Sequence, residues 1–281
     1  MNTHKGKKMK AAQETIKTPI MDQNIKSKFR WPQFNWRGAI AIVGFFVAWH
    51  FFVKLGVPGF KDIASPFDVL NTFLTRYINN PEYWSSWVSS SKRVLYGFLI
   101  AQLLGIPLGL LLGTREVFHN MVYPVIEILR PIPPLAWVPI SILFWPTTES
   151  SIIFICFIGA FFIIVINVHD AVRSIKQEHI WLAQSLGASS GQIFRRIMIP
   201  SVIPSIAVGM TLGIAVTWNV VIAAEMISGG NGLGRLTWEG YVSHTVTVVI
   251  IGMISIGLAG YLSTIGVDYL EKKMMPWRVV R

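Results

Sequence analysis

Six histidines, one cysteine and 14 carboxylates are the side chains in this 281-residue sequence that could do acid–base, nucleophilic or metal chemistry. Their spacing supports none of it. His4, His50, His119, His169, His179 and His244 stand apart, with no pair at metal-ligand spacing and no Ser/His/Asp arrangement around them. Each reads as a packed or interfacial side chain. Cys156 lies inside an apolar run and reads as a small buried hydrophobe. Gly6-Lys7-Lys8 lacks the upstream glycine and the closing Ser/Thr of a phosphate loop. Gly232-Leu233-Gly234 is too short for a dinucleotide fingerprint and reads as a loop needing positive φ. No catalytic, metal or nucleotide site emerges, so any energy input is expected from a partner.

Three charged residues matter for other reasons. Arg130 opens Arg130-Pro131-Ile132-Pro133-Pro134, where three prolines in four residues cannot sustain helical hydrogen bonding. Irregular backbone at membrane depth is tolerated only where it faces protein or a water-filled path, so Pro131, Pro133 and Pro134 are candidate pathway wall. Arg130 itself either faces inward or snorkels to the nearer interface. Glu225, closing one apolar run, reads either as an interfacial charge or as the ion-pair partner of Arg93, which opens another. The pair is the expectation carried forward.

The elements holding these residues are membrane spans. The chain is 52% apolar and only 14% charged, against about 25% charged in soluble domains. Six apolar runs, at about 38–55, 93–113, 121–145 (broken at 130–134), 151–168, 201–224 and 246–267, are each near the 20 residues that cross a bilayer. The first, with a long basic lead and no small-residue cleavage site, reads as a retained anchor. Residues 68–77 are at most a short surface helix. The second run carries Gly97, Ala101, Gly105, Gly109 and Gly113, a small-residue ridge for close helix packing, with Pro107 expected to kink it. Ser205, Gly209, Gly213 and Thr217 form a similar row in the fifth.

The net charge of +11 is unevenly spread. Nine Lys/Arg against Glu14 and Asp22 make residues 1–37 a basic arm, better suited to anionic lipid than to nucleic acid. Residues 38–270 form the transmembrane domain and 271–281 a basic tail. Arg115, Arg173, Lys176, Arg195 and Arg196 lie on the same side as arm and tail, so that side is expected to be cytoplasmic, with both termini there.

Between the fourth and fifth runs lies a Gly-punctuated, basic segment, 178–200. Glu178 to Leu186 suits a short helix stopped by Gly187. Ser189-Ser190-Gly191-Gln192 fits a capping box, Ser189 the cap and Gln192 the third residue beyond it, opening a second helix toward the membrane. Ala183, Gly187, Ala188 and Ser189 are small near the joint. Such a knuckle fits a groove in another protein.

The knuckle resembles the shared cytoplasmic pattern of the permease subunits of bacterial ABC importers, which reads E-A-A, three residues, G, nine residues, I-x-L-P. Ala183, Gly187, Ile197 and Pro200 match. Ile199 replaces the Leu, while Trp181 and Leu182 stand where the Glu and first Ala belong. The run from Arg130 to Pro139, RPIPPLAWVP, is similar to the taurine, alkanesulfonate, nitrate and bicarbonate branch. Ser91-Lys92-Arg93-Val94, Ala223-Ala224-Glu225-Met226, Gly232-Leu233-Gly234 and Met275-Pro276-Trp277 also resemble that branch. Pro146-Thr147-Thr148 departs from its usual glycine-containing turn.

The resemblance implies an all-α integral membrane protein with the type I ABC importer permease fold: six transmembrane helices, and a cytoplasmic coupling helix between spans four and five. It implies a homodimer in a bacterial inner membrane, two ATPase subunits carrying the ATP and Mg, and a periplasmic or lipid-anchored substrate-binding protein. Trp181, Leu182, Ala183, Gly187, Ala188, Ser189, Ile197 and Pro200 would receive the ATPase. Arg130, with Trp137, Trp218 and Asn219, would meet a small oxyanion, with a leaning to sulfonate or taurine. The alternative is a self-contained ion-coupled carrier or channel, which would place carboxylates deep in the spans. A membrane-embedded enzyme is a distant third.

Overall fold

The computed structural model describes residues 36–59 and 62–275. The basic arm up to residue 35 and the closing Pro276, Trp277, Arg278 and Arg281 lie outside the described residues. The chain divides at Phe46 into a short N-terminal unit and a main unit from Val47 onward.

Helix α1, Trp36–Lys54, runs across that division, and every later element belongs to the main unit. Helix α2, Pro66–Thr72, is capped by Ser65, whose Oγ accepts from Asp68 N at 3.3 Å, and continues as a wide turn over Phe73–Tyr77. Helix α3, Pro81–Thr114, begins twelve residues earlier than the second apolar run. Asn80 Oδ1 accepts from Glu82 N at 2.9 Å and Pro81 takes the first helical position, so polar residues are drawn into the helix by its cap. It passes Pro107 as one unbroken helix of 34 residues, about 51 Å long.

The third run is broken where its prolines demand. Helix α4, Glu116–Leu129, and the segment Pro134–Phe144, comprising a tight turn over Pro134–Trp137 and helix α5, Val138–Phe144, are bent by 89°. Helix α6, Thr148–Arg173, starts at the Thr147 cap. Helix α7, Gln177–Ser185, and the four-residue α8, Ser190–Ile193, form the knuckle. A wide turn, Phe194–Met198, joins α8 to α9, Ile199–Ser228, without a break. Helix α10, Leu233–Val242, precedes α11, Val246–Met274. Among the described residues five helical segments are long and apolar enough to cross a membrane, six if the bent pair is one span.

The partner of the small-residue ridge is α6. A methyl on Gly97 would lie 2.9 Å from both Ile153 O and Phe157 N, and one on Gly109 would lie 2.8 Å from Val165 O. The α9 row meets the same helix from another side: a methyl on Gly213 would be 3.4 Å from Ala160 Cβ, and one on Gly209 would be 3.3 Å from Asn167 Cβ. Helix α6 is therefore gripped between two smooth surfaces, and its Ile155, Ile164, Val165 and Val168 are wholly buried. Backbones this close hold by van der Waals packing, the main adhesive between helices where lipid removes the hydrophobic drive.

Candidate functional site

The knuckle is closed by two complementary caps. Gly187, at φ +80°, takes the left-handed position after α7. Gly187 N donates to Gln184 O at 2.9 Å and Ala188 N to Ala183 O at 3.0 Å, the bond pair of a Schellman motif. Two residues on, Ser189 N donates to Gln192 Oε1 at 2.8 Å while Ser189 Oγ accepts from Gln192 N at 3.4 Å, completing a capping box. One glycine thus ends a helix and one serine starts the next, fixing the joint with bonds internal to the loop.

No residue of α7 is buried. Trp181 and Leu182 are 61% and 63% exposed, and Leu186, which sequence reasoning did not single out, is 79% exposed. Trp181 and Leu182 on α7 and Leu186 just beyond it form an exposed apolar surface on an otherwise polar segment. Ala183 and Ala188 are half-buried at the joint, while Ile197 and Pro200 are half-buried in the stem. The stem is continuous with α9 over Ser190–Ser228, so displacement at the knuckle moves a membrane span directly.

At the opposite end of α9 the structure builds a buried ionic cluster. Arg93 is 1% exposed and Glu225 is wholly buried. Arg93 Nη1 donates to Glu225 Oε1 at 2.7 Å and to Asn231 O at 2.5 Å. Its Nε donates to Glu149 Oε2 at 2.8 Å, and its Nη2 also donates to that carboxylate. Ser90 Oγ donates to Glu225 Oε1 at 2.7 Å and accepts from Leu233 N at 2.9 Å, while Gly234 N donates to Glu225 Oε2 at 2.9 Å. Every charged group has a partner, one guanidinium lying between two carboxylates, so the cluster is a tie between α3, α6, α9 and the glycine loop.

The glycine loop needs correction in one respect. Gly232 is extended at φ 166° and Gly234 lies inside α10, so neither uses the left-handed region. Close approach is what demands them: a side chain on Gly232 would run into the Glu225 carboxylate, and a methyl on Gly234 would sit 2.9 Å from Ile222 Cα. Positive φ is needed at Gly229, φ 72°, which ends α9. Glu149, Ser90 and Asn231 were not foreseen. The one signal was that Glu149 falls on the same side of the spans as Arg93.

Two histidines read as isolated are neighbours. His169 Nε2 lies 3.2 Å from His119 Nδ1, and His169 Nδ1 lies 2.8 Å from Asp170 Oδ1. Tyr123 stacks over both imidazoles with centroids 4.5 Å away. Fifty residues of sequence separate the pair, and only the packing of α4 on α6 joins them.

The proposed pathway residues fall into two groups. Arg130, Pro131 and Pro133 are exposed at the broken turn, and Pro134 and Trp137 are half-buried beside it. Trp218, in contrast, is packed into the core, its Nε1 donating to Ser263 Oγ of α11 at 3.1 Å, while the adjacent Asn219 is exposed. One helical step of 100° puts these neighbours on different faces.

Residues 105–276 match the family of binding-protein-dependent transport system inner membrane components. The chain belongs to that family. As an ABC importer permease it has relatives named for nitrate, bicarbonate and taurine. A nitrate import permease protein of Synechocystis sp. is 36% identical over 67% of this chain and 68% of its own length. A bicarbonate transport system permease protein of Synechococcus elongatus is 32% identical over 82% and 86%. The taurine transport system permease protein of Escherichia coli is 30% identical over 69% and 70%. The permease fold recurs in an inward-facing MetNI methionine ABC transporter, with TM-score 0.56 over 70% of this chain and 99% of that one at 19% identity. The matched region contains the knuckle, the broken turn and two corners of the ionic cluster, Glu149 and Glu225. Arg93 lies upstream of it.

Proposed function

We propose that this permease is one half of a two-fold dimer that moves a small oxyanion of the nitrate, bicarbonate or sulfonate class into the cell by alternating access. Two ATPase subunits, which carry the ATP and Mg, grip the knuckles, and a substrate-binding protein delivers the anion at the Arg93 end. The Lys/Arg bias of the loops supports placing the knuckle and both termini in the cytoplasm, with the permease in the inner membrane. Identity ranks the nitrate relative above the taurine one, against the sulfonate leaning of the proline segment. The proposal therefore takes the class and leaves its member to a thermal-shift panel of these anions on the cognate binding protein.

The observation that carries this reading is the knuckle itself. It is exposed and apolar-tipped, capped at both sides of Gly187, and fused to α9. An ATPase that pulls on it rotates α9 as a body, and α6, held between glycine rows, lets the helices slide with small steric cost.

Gly187→Trp tests it. A methyl at Gly187 meets nothing within 4 Å, so an indole there projects outward; the left-handed backbone adds strain of about 1–2 kcal/mol, confined to the joint. Insertion and dimerisation should persist while ATP-driven uptake into vesicles is abolished. Normal uptake by this variant sinks the knuckle assignment, and uptake by the purified permease without ATPase subunits sinks the importer reading.

A further inference from the structure

Gln102 is the described side chain with two separate polar atoms buried without a partner: neither Nε2 nor Oε1 finds a hydrogen bond. It lies on α3 nine residues past Arg93 and twelve before Thr114, about 14 Å and about 18 Å along the helix, deep in the span. Phe98, one turn earlier on the same face, packs beside Gly213 of α9, and Ile106, one turn later, packs against the main core. By helical spacing from Phe98, Gln102 belongs near the side of α3 turned toward α9, the helix continuous with the knuckle.

A buried carboxamide with nothing to bond is costly, and native proteins keep few such groups without a use for them. Surrounding lipid cannot satisfy it. A second copy packed on the outside of the chain cannot reach it either, because both amide atoms are already out of contact with the surroundings in the single chain. A solute admitted when α3 and α9 separate can reach it. Both helices pack on α6 through small-residue faces, along which each can slide and so shift relative to the other.

We infer that Gln102 is a substrate-contacting residue of the translocation path, its Nε2 donating to an oxygen of the passing oxyanion once α9 moves. The assignment rests on the oxyanion reading given under Proposed function. A neutral amide suits the task. It replaces part of the anion's hydration without the full charge that would hold the anion in place, and conduction requires binding that is weak enough to release.

The test uses the assembled transporter with its ATPase and binding protein in proteoliposomes, wild type against Gln102→Leu, a near-isosteric apolar replacement. Labelled nitrate, bicarbonate and taurine are the probes. The expected result is a thermal midpoint equal to or above wild type, because an unpaired buried amide is gone. Maximal uptake should fall about tenfold while ATP hydrolysis continues, the worth of about one hydrogen bond to a charged group. Uptake within twofold of wild type overturns the assignment, as does a lowered midpoint, which would mean that the amide is structurally bonded. A wild-type complex that carries none of the three probes overturns the oxyanion reading and this inference together. Wild-type uptake that persists undiminished in Gln102→Leu overturns this inference alone.

Discussion

Arg93→Ala should leave little folded permease. Glu225 would keep Ser90 and Gly234 as donors but lose its counter-charge while remaining wholly buried. Removing one partner of a buried pair costs about 3–5 kcal/mol, so the thermal midpoint of the solubilised chain should drop by roughly 10 °C or the chain should fail to accumulate. Glu225→Gln, which keeps the shape and one acceptor, should cost less. Glu149→Ala should fall between the two: its carboxylate is exposed, but its loss strands two donors of a buried guanidinium, about 1–3 kcal/mol. The double exchange Arg93→Glu with Glu225→Arg is expected to fail. A glutamate at position 93 would face Glu149 and the Asn231 carbonyl, both of which require a donor. A midpoint for Arg93→Ala within a degree of wild type would show that the cluster does not tie the helices.

Gly97→Leu should separate α3 from α6. Even a methyl there would stand 2.9 Å from the Ile153 carbonyl and the Phe157 amide, and backbone cannot turn aside as a side chain does. Alanine gains about 1 kcal/mol of helix propensity, yet overpacking of this kind costs about 1–3 kcal/mol or more, so Gly97→Ala should already lower the midpoint. Leucine should yield a chain that aggregates on size exclusion. Gly266→Ala is the control, since a methyl at Gly266 meets nothing within 4 Å. Equal behaviour of Gly97→Ala and Gly266→Ala would refute the close α3–α6 contact.

Much of the knuckle was legible because its signals are local. Helix stop, left-handed glycine, serine cap and Gln192 all lie between Ser185 and Gln192, and sequence spacing is then nearly spatial spacing. The broken third span was legible for the same reason: three prolines forbid regular bonding whatever surrounds them. Helix ends were less so. The second apolar run marks where lipid begins, whereas α3 begins where Asn80 caps it and Pro81 starts it, twelve residues sooner.

Residues far apart in sequence behaved differently. The pairing of Arg93 with Glu225 was open to inference because opposite charges at the same end of two spans have few other partners in a membrane. Glu149 and Asn231 complete the cluster through the angle at which α6 and the glycine loop arrive, which no local pattern encodes. His119 and His169 met for a similar reason, and Trp218 went into the core while Asn219 stayed outside. A ridge of glycines announces that something packs closely; it does not say which helix.

By itself, then, the sequence determined that the chain lives in a membrane, where its spans and breaks fall, and how the knuckle folds on either side of Gly187. Those properties follow from transfer energy and backbone bonding, which each short segment settles alone. Tertiary structure decided that α6 lies between two small-residue faces, that one buried arginine serves two carboxylates, and that Gln102 is enclosed without a partner. Those depend on the relative placement of whole helices, which is set by the sum of many weak contacts between residues distant in the chain.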